Sequence, residues 1–123
     1  METYKIADGE YKFAQLVWER EPINSTALMK LAYEKLGWKK ATSYTVLRKL
    51  CEKGILKNED ATVTALVKQE EVRKQESEAL LQKSFDNSLP AFIAAFLKDR
   101  KLSEKEAIEL KKMIDEASRR ELL

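Results

Sequence analysis

The sequence predicts a mainly α-helical fold with one small β-hairpin wing: a winged helix-turn-helix over residues 1–68, followed by a three-helix segment over 69–123. Three observations lead there. Glycine and proline are scarce, three and two in 123 residues, while 36% of residues are charged, a balance that suits helices with solvated faces. Apolar residues recur at helical spacing through most of the chain. One stretch breaks that pattern, Thr62-Val63-Thr64-Ala65-Leu66-Val67, whose β-branched residues suit a strand.

The elements follow in order. Asp8 is placed to cap a first helix running to about Arg20, with Tyr11, Ala14, Val17 and Trp18 on one face. Pro22 ends it. Asn24 or Ser25 caps a second helix to about Leu36, with Leu28, Leu31, Ala32 and Leu36 as its buried stripe and Gly37 as its stop. A third helix spans roughly Lys40 to Lys53 and stops at Gly54. Ile55-Leu56 begin an extended segment, Asn58-Glu59-Asp60-Ala61 reads as a turn, and residues 62–67 as the return strand. The second and third helices, joined by a short glycine-containing turn, match the helix-turn-helix unit.

The back half changes character. Residues from about Gln69 to Phe85 form a charged helix whose apolar positions are Val72, Ala79, Leu80 and Leu81. Ser88 caps the next, with Pro90 in its first turn. Leu89, Phe92, Ile93, Phe96 and Leu97 recur at i, i+3, i+4, i+7 and i+8 and make a continuous apolar face. Ser103-Glu104-Lys105-Glu106 is a capping box for the last helix, with Ala107, Leu110, Ile114 and Ala117 as its stripe. Three short helices with apolar stripes and little loop need a partner surface. A second copy of the same segment supplies one through Leu80, Leu89, Phe92, Ile93, Phe96, Leu97, Leu110 and Ile114, giving a two-fold dimer. Folding back onto the front domain is the alternative.

Composition removes several function classes. The single cysteine, Cys51, and the absence of histidine exclude a disulfide framework, the usual zinc sets and histidine-based catalysis. No nucleophile–base pair or phosphate loop is present, and no cofactor is expected. Carboxylates alternate with lysines on helix faces, where pairing and solubility account for them. No apolar run reaches the ~18–20 residues of a membrane span. The N-terminal stretch lacks an apolar signal region, so a cytoplasmic protein without membrane insertion is expected.

Charge distribution is more informative than the net +2. Between Lys30 and Lys57 eight basic residues face two glutamates, a local +6 that leaves −4 for the rest of the chain. A basic stretch in a balanced chain is the footprint of a nucleic-acid module, or of a lysine-rich solvated surface. The third helix sharpens the first reading. Leu47 shares its face with Ser43, Leu50, Cys51 and Gly54, while Ala41, Thr42, Thr45, Arg48, Lys49 and Glu52 lie opposite. Threonine offers a hydroxyl and a methyl to base edges, and arginine binds guanine through two hydrogen bonds. Tyr44, on the flank, can reach the DNA backbone or pack. Lys39 and Lys40 open the helix, where the dipole disfavours cations by a few tenths to about 1 kcal/mol each. A phosphate bridging them and the free N–H groups accounts for their presence. The alternative is that they point into water. Cys51, on the inner face, reads as inert packing, with redox sensing as the alternative. The candidate DNA-contacting set on and beside this helix is Lys39, Lys40, Thr42, Ser43, Tyr44, Thr45, Arg48 and Lys49.

The order of local motifs resembles the penicillinase-repressor (BlaI/MecI) family over nearly the whole chain. The residues that carry the resemblance are Ile6-Ala7-Asp8-Gly9-Glu10, Val17-Trp18, Pro22-Ile23-Asn24, Trp38-Lys39-Lys40-Ala41-Thr42, Leu47-Arg48-Lys49-Leu50 and Lys53-Gly54-Ile55-Leu56. Beyond the wing come Val63-Thr64-Ala65-Leu66-Val67, Glu70-Glu71, Glu76-Ser77, Ser88-Leu89, Ala94-Ala95-Phe96-Leu97 and Leu102-Ser103-Glu104-Lys105-Glu106. The resemblance implies a homodimeric repressor with its third helices in the major grooves of an inverted-repeat DNA operator. It places Trp38, Lys39, Lys40, Thr42, Thr45, Arg48 and Lys49 at or near the DNA. It also implies, for some members, inactivation by a membrane sensor-protease that cuts an Asn-Phe bond in the back helices. Here the matching pair is Ala95-Phe96, a departure from that pattern. A C-terminal cysteine metal motif, found in copper-responsive relatives, is absent. Glu59 and Asp60 at the wing tip would repel phosphate, so the wing is expected to contribute little. The expectation for function is a DNA-binding transcriptional repressor, with a winged helix used for protein–protein contact as the alternative.

Overall fold

The computed structural model describes residues 4–121. Six helices and three short strands follow one another as α1 (Asp8–Arg20), β1 (Ile23–Asn24), α2 (Ser25–Leu36), α3 (Lys40–Glu52), β2 (Leu56–Glu59), β3 (Thr62–Ala65), α4 (Gln69–Phe85), α5 (Leu89–Leu97) and α6 (Glu104–Ser118). The chain divides into two compact units, Met1–Ala79 and Leu80–Leu123. The break comes within α4 and not at the expected 68/69 boundary. Val72 is fully buried, and the Gln69 side chain donates to the Tyr11 hydroxyl at 3.1 Å, so the root of α4 belongs to the first unit.

In the first unit α1, α2 and α3 enclose Phe13, Val17, Leu28, Ala32, Leu47 and Leu50, and Ile55, just before β2, closes the core with Leu56 of β2 and Val63 of β3. Ala14 and Val17 are buried as their spacing predicts, whereas Tyr11 and Trp18 are half-buried and meet edge-to-face at 5.3 Å. Phe13 and Leu16, outside the predicted stripe, are buried as well. The cap of α1 differs from expectation: Ala7 is the N-cap and Asp8 the first helical residue. Ala7 has no side-chain acceptor, and the orphan donor is met by Glu10, whose carboxylate accepts the Ala7 N–H at 2.9 Å. Asn24 caps α2 by accepting from Thr26 N–H and Ala27 N–H. Gly37 ends it at φ 70° and Gly54 follows α3 at φ 76°, a backbone region that glycine occupies without steric cost.

The wing is a three-stranded sheet in the order β1-β3-β2. The turn holds only Asp60 and Ala61, both at positive φ; Asn58 and Glu59, expected in it, belong to β2 and pair with Val63 and Thr62. β3 ends at Ala65 and not at Val67. β1 is an addition to the expected hairpin. It pairs Ile23 with Val63 and Asn24 with Thr62, and the Ser25 N–H donates to the Ala61 carbonyl at 2.8 Å. A second seam joins α1 to the chain leaving the sheet. Trp18 Nε1 donates to the Val67 carbonyl at 2.9 Å, while Glu21 accepts from the Ala65 N–H and the Lys68 ammonium.

The second unit has no buried side chain among its described residues, 80–121. Phe85 meets Phe92 edge-to-face at 5.4 Å, Phe92 lies tilted to Phe96 at 6.1 Å, and the Arg100 guanidinium lies 4.7 Å from the Phe96 ring. Ser88 caps α5 through the Ala91 N–H, and Ser103 caps α6 through the Glu106 N–H. The expected capping box is only half formed: the Glu106 carboxylate meets the Ser103 hydroxyl at 3.5 Å. Leu80, Leu89, Ile93, Phe96, Leu110 and Ile114 are exposed large apolar residues, while Phe92 and Leu97 are half-buried.

Candidate nucleic-acid interface

The inner side of α3 anchors the helix and leaves its outer side free. Ser43, Leu47 and Leu50 are buried, and Val46 and Cys51 are half-buried. On the outer side Ala41, Thr42, Arg48, Lys49 and Glu52 are exposed and Thr45 is half-buried. The two faces therefore divide as helical spacing dictates. Ser43 is the exception among the candidate contact residues. It is fully buried, with no hydrogen-bond partner found for its hydroxyl among the described residues, so it cannot meet a ligand at the surface of this fold. Its place among outward-facing candidates is corrected: the residue shares the face of Leu47.

The free residues differ in what they offer. The Thr45 hydroxyl donates to the Ala41 carbonyl at 3.0 Å, which leaves its oxygen lone pairs and methyl for a ligand. The Arg48 guanidinium stands 4.0 Å from Glu52, and both side chains are 69% exposed, so solvent screening keeps that pair weak. At the helix start Lys39 is the N-cap and supplies no capping side chain, which leaves orphan N–H groups in the first turn. The Lys40 ammonium lies 5.9 Å from the Tyr44 ring. Trp38 is half-buried, with its ring 5.9 Å from that of Phe13 and its far edge against Gly9. It packs the turn before α3 onto α1.

Two features lie beyond what the sequence pattern predicts. An open groove of about 550 Å³ between α2 and α3 is lined by Thr26, Met29, Lys30, Tyr33, Glu34 and Lys40. Its signal is present in the chain as Thr26, Lys30 and Tyr33 at helical spacing on the outer side of α2. The other is the ion pair between Glu10 and Lys53 at 2.6 Å, two residues with no local signal to join them. Burial alone would raise the Glu10 pKa. The Lys53 hydrogen bond, the Ala7 N–H and the Lys53 and Lys49 charges outweigh it and hold the carboxyl below its ordinary value. Cys51 goes the other way: burial pushes its thiol up and Glu52 adds to that, against a backbone hydrogen bond at Asn58. A raised thiol pKa leaves little thiolate for redox chemistry.

A helix-turn-helix with a basic outer face, a three-stranded wing and a trailing helical unit is thus in place. A sequence model of the penicillinase repressor matches residues 6–116. The chain belongs to the penicillinase-repressor family. That family is regulatory and not enzymatic. The chain is similar to the penicillinase repressor of Bacillus licheniformis, 23% identical over 120 residues that cover 94% of each protein. It is similar as well to the methicillin resistance regulatory protein MecI of Staphylococcus aureus, 20% identical over 117 residues, 92% of this chain and 95% of the relative. A 16.5 kDa protein from the ptsI 3′ region of Latilactobacillus sakei is 25% identical over 116 residues, 91% of this chain and 80% of the relative. As a member of the penicillinase-repressor family the chain is a transcriptional regulator, which directs attention to the outer face of α3. Among the described residues no His/Cys/Asp/Glu group could hold a metal ion, and no helix is long and apolar enough to cross a membrane.

Proposed function

We propose that the protein is a sequence-specific DNA-binding repressor that acts as a homodimer on an inverted-repeat operator. The exposed face of α3 carries this reading: Thr42, Arg48 and Lys49 are exposed and Thr45 half-buried along one side that begins at the uncapped, doubly basic start of the helix. Thr42, Thr45 and Arg48 read base edges, and Lys39 and Lys40 with the first-turn N–H groups hold a backbone phosphate. Tyr44 flanks that phosphate and supports Lys40. The apolar residues of the second unit, Leu80, Leu89, Phe92, Ile93, Phe96, Leu97, Leu110 and Ile114, form the dimer interface, and the molecule works in the cytoplasm where the operator is. Control by a membrane sensor-protease at Ala95-Phe96 is not part of the proposal, because that pair lacks the asparagine of the cleaved bond.

Footprinting of genomic fragments tests the proposal. The expected result is a two-fold symmetric site with half-sites about one helical turn, or a multiple of it, apart, and an affinity that falls steeply with salt as counterions are released. A single asymmetric site counts against the two-fold reader. No retention of any duplex at low salt transfers the front unit to the protein-contact reading.

A further inference from the structure

Charge counting assigns Lys53 to the basic stretch that faces DNA. The structure removes it from that role. The Lys53 ammonium donates to the Glu10 carboxylate at 2.6 Å and to the Lys5 carbonyl at 2.7 Å. The same Glu10 oxygen accepts the Ala7 N–H at 2.9 Å, and the Glu10 side chain is only 10% exposed. Lys53 is the C-cap residue of α3, and Glu10 lies in the first turn of α1. Each charge stands at the helix end whose dipole favours it, the carboxylate at an N-terminus and the ammonium at a C-terminus. Charge-assisted bonds of this length are among the strong ones, and here they join the chain entering the domain to the end of its third helix.

We propose that Glu10 and Lys53 form a positioning clamp for α3, which fixes how the helix is presented to DNA without touching DNA. The inference rests on α3 being the recognition helix. Lys5, Ala7 and Glu10 act on it from behind. A helix held at its start by the packing of Trp38 on Phe13 and at its end by the clamp has its outer face fixed in register. Losing the clamp frees the last turn to swing, and base contacts suffer more than phosphate contacts because they tolerate less displacement.

Two variants test this. Glu10→Gln keeps an acceptor for the Ala7 N–H and removes the charge, and Lys53→Met keeps the side-chain length. In the full-length protein, well below its melting temperature, each should weaken operator binding on the order of five- to tenfold. Scrambled duplex should change less than about twofold, and the double variant should match the singles. The salt slope should stay at the wild-type value, since every phosphate keeps its cation. Amide exchange of residues 50–55 in the free protein should speed up in both variants. Wild-type operator affinity in the variants overturns the clamp. So does a slope lowered by about 1 for each phosphate left without its cation, which makes Lys53 a phosphate ligand. Unchanged amide protection overturns it whatever the DNA result. A wild-type protein that binds no duplex while the variants still exchange faster sinks the DNA reading and leaves the clamp standing as a mechanical link.

Discussion

Arg48 and Lys40 are both exposed cations on α3, and the proposed DNA complex asks different things of them. Arg48 stands mid-helix, where a guanidinium reaches base edges; Lys40 stands at the start, over Tyr44. Arg48→Ala should cost about 1–3 kcal/mol on the operator and relax the preference at one base pair per half-site. Lys40→Ala should weaken operator and scrambled duplex alike and lower the salt slope by about 1 for each phosphate that it ceases to neutralise. Titrations at several salt concentrations separate them, and intact discrimination in Arg48→Ala with none left in Lys40→Ala reverses the placement of the helix in the groove. Glu21 carries a pH signature. Burial raises its pKa, but the Ala65 N–H and the Lys68 ammonium together bring it below the ordinary 4.5. A carboxyl lowered by folding contributes stability above the unfolded value and loses it as pH falls through the folded one. Glu21→Gln should therefore be less stable than wild type at pH 7, with the gap shrinking below pH 4.5; a gap undiminished at pH 3 refutes the assignment. At this scale sequence reading succeeds where side-chain type and helical phase decide exposure, as for Thr42 and Arg48. It places Ser43 on both faces at once, because a hydroxyl suits a groove and a tight interior alike. The pairing of Glu10 with Lys53 is invisible to it, being made by the fold.

Helix ends are legible in the sequence because their causes are local. Gly37 and Gly54 take the left-handed conformation their positions demand, and Asn24, Ser88 and Ser103 cap with their own side chains. The start of α1 differs by one residue: Ala7 and not Asp8 is the N-cap, and Glu10, three residues inside, accepts the Ala7 N–H. The wing is legible as a hairpin from its β-branched strand, yet its third strand is not. Ile23 and Asn24 become β1 only through Val63 and Thr62, and two residues after a proline carry no periodicity of their own. The tightness of the turn has an energetic corollary. Ala61 sits at φ 61° as the second residue of a two-residue hairpin turn, a position that favours glycine. Its Cβ costs roughly 1–2 kcal/mol there. Ala61→Gly should raise stability by about 1 kcal/mol, after the greater chain entropy that glycine brings to the unfolded state. The Ser25–Ala61 backbone bond should persist. Urea titration measures the gain, and an unchanged or lower midpoint shows that the strain is relieved elsewhere.

Across the whole molecule the two units are built on different principles. The first encloses a core from three helices and a sheet. It extends past its expected end because the sequence marks the change at the charged start of α4, whereas burial of Val72 carries the packing further. The second is legible as a set of apolar faces, and its described residues, 80–121, provide no interior for them. Both tryptophans and all four tyrosines lie before residue 80, so their fluorescence follows the first unit alone. Changing Phe92 and Phe96 to glutamate should give a monomer by light scattering with an unaltered tryptophan melt; a persistent dimer refutes the interface. The absence of an interior has a kinetic and cellular meaning too. The proposed interface makes folding of residues 80–121 second order in protein, so the circular-dichroism melt should shift upward between low and high micromolar concentration, and a concentration-independent melt contradicts the proposal. In the proposed dimer, copy number would decide how much of each chain is ordered: a cell that makes few molecules would hold chains whose residues 80–121 lie open to housekeeping proteases, so that abundance and lifetime would rise and fall together.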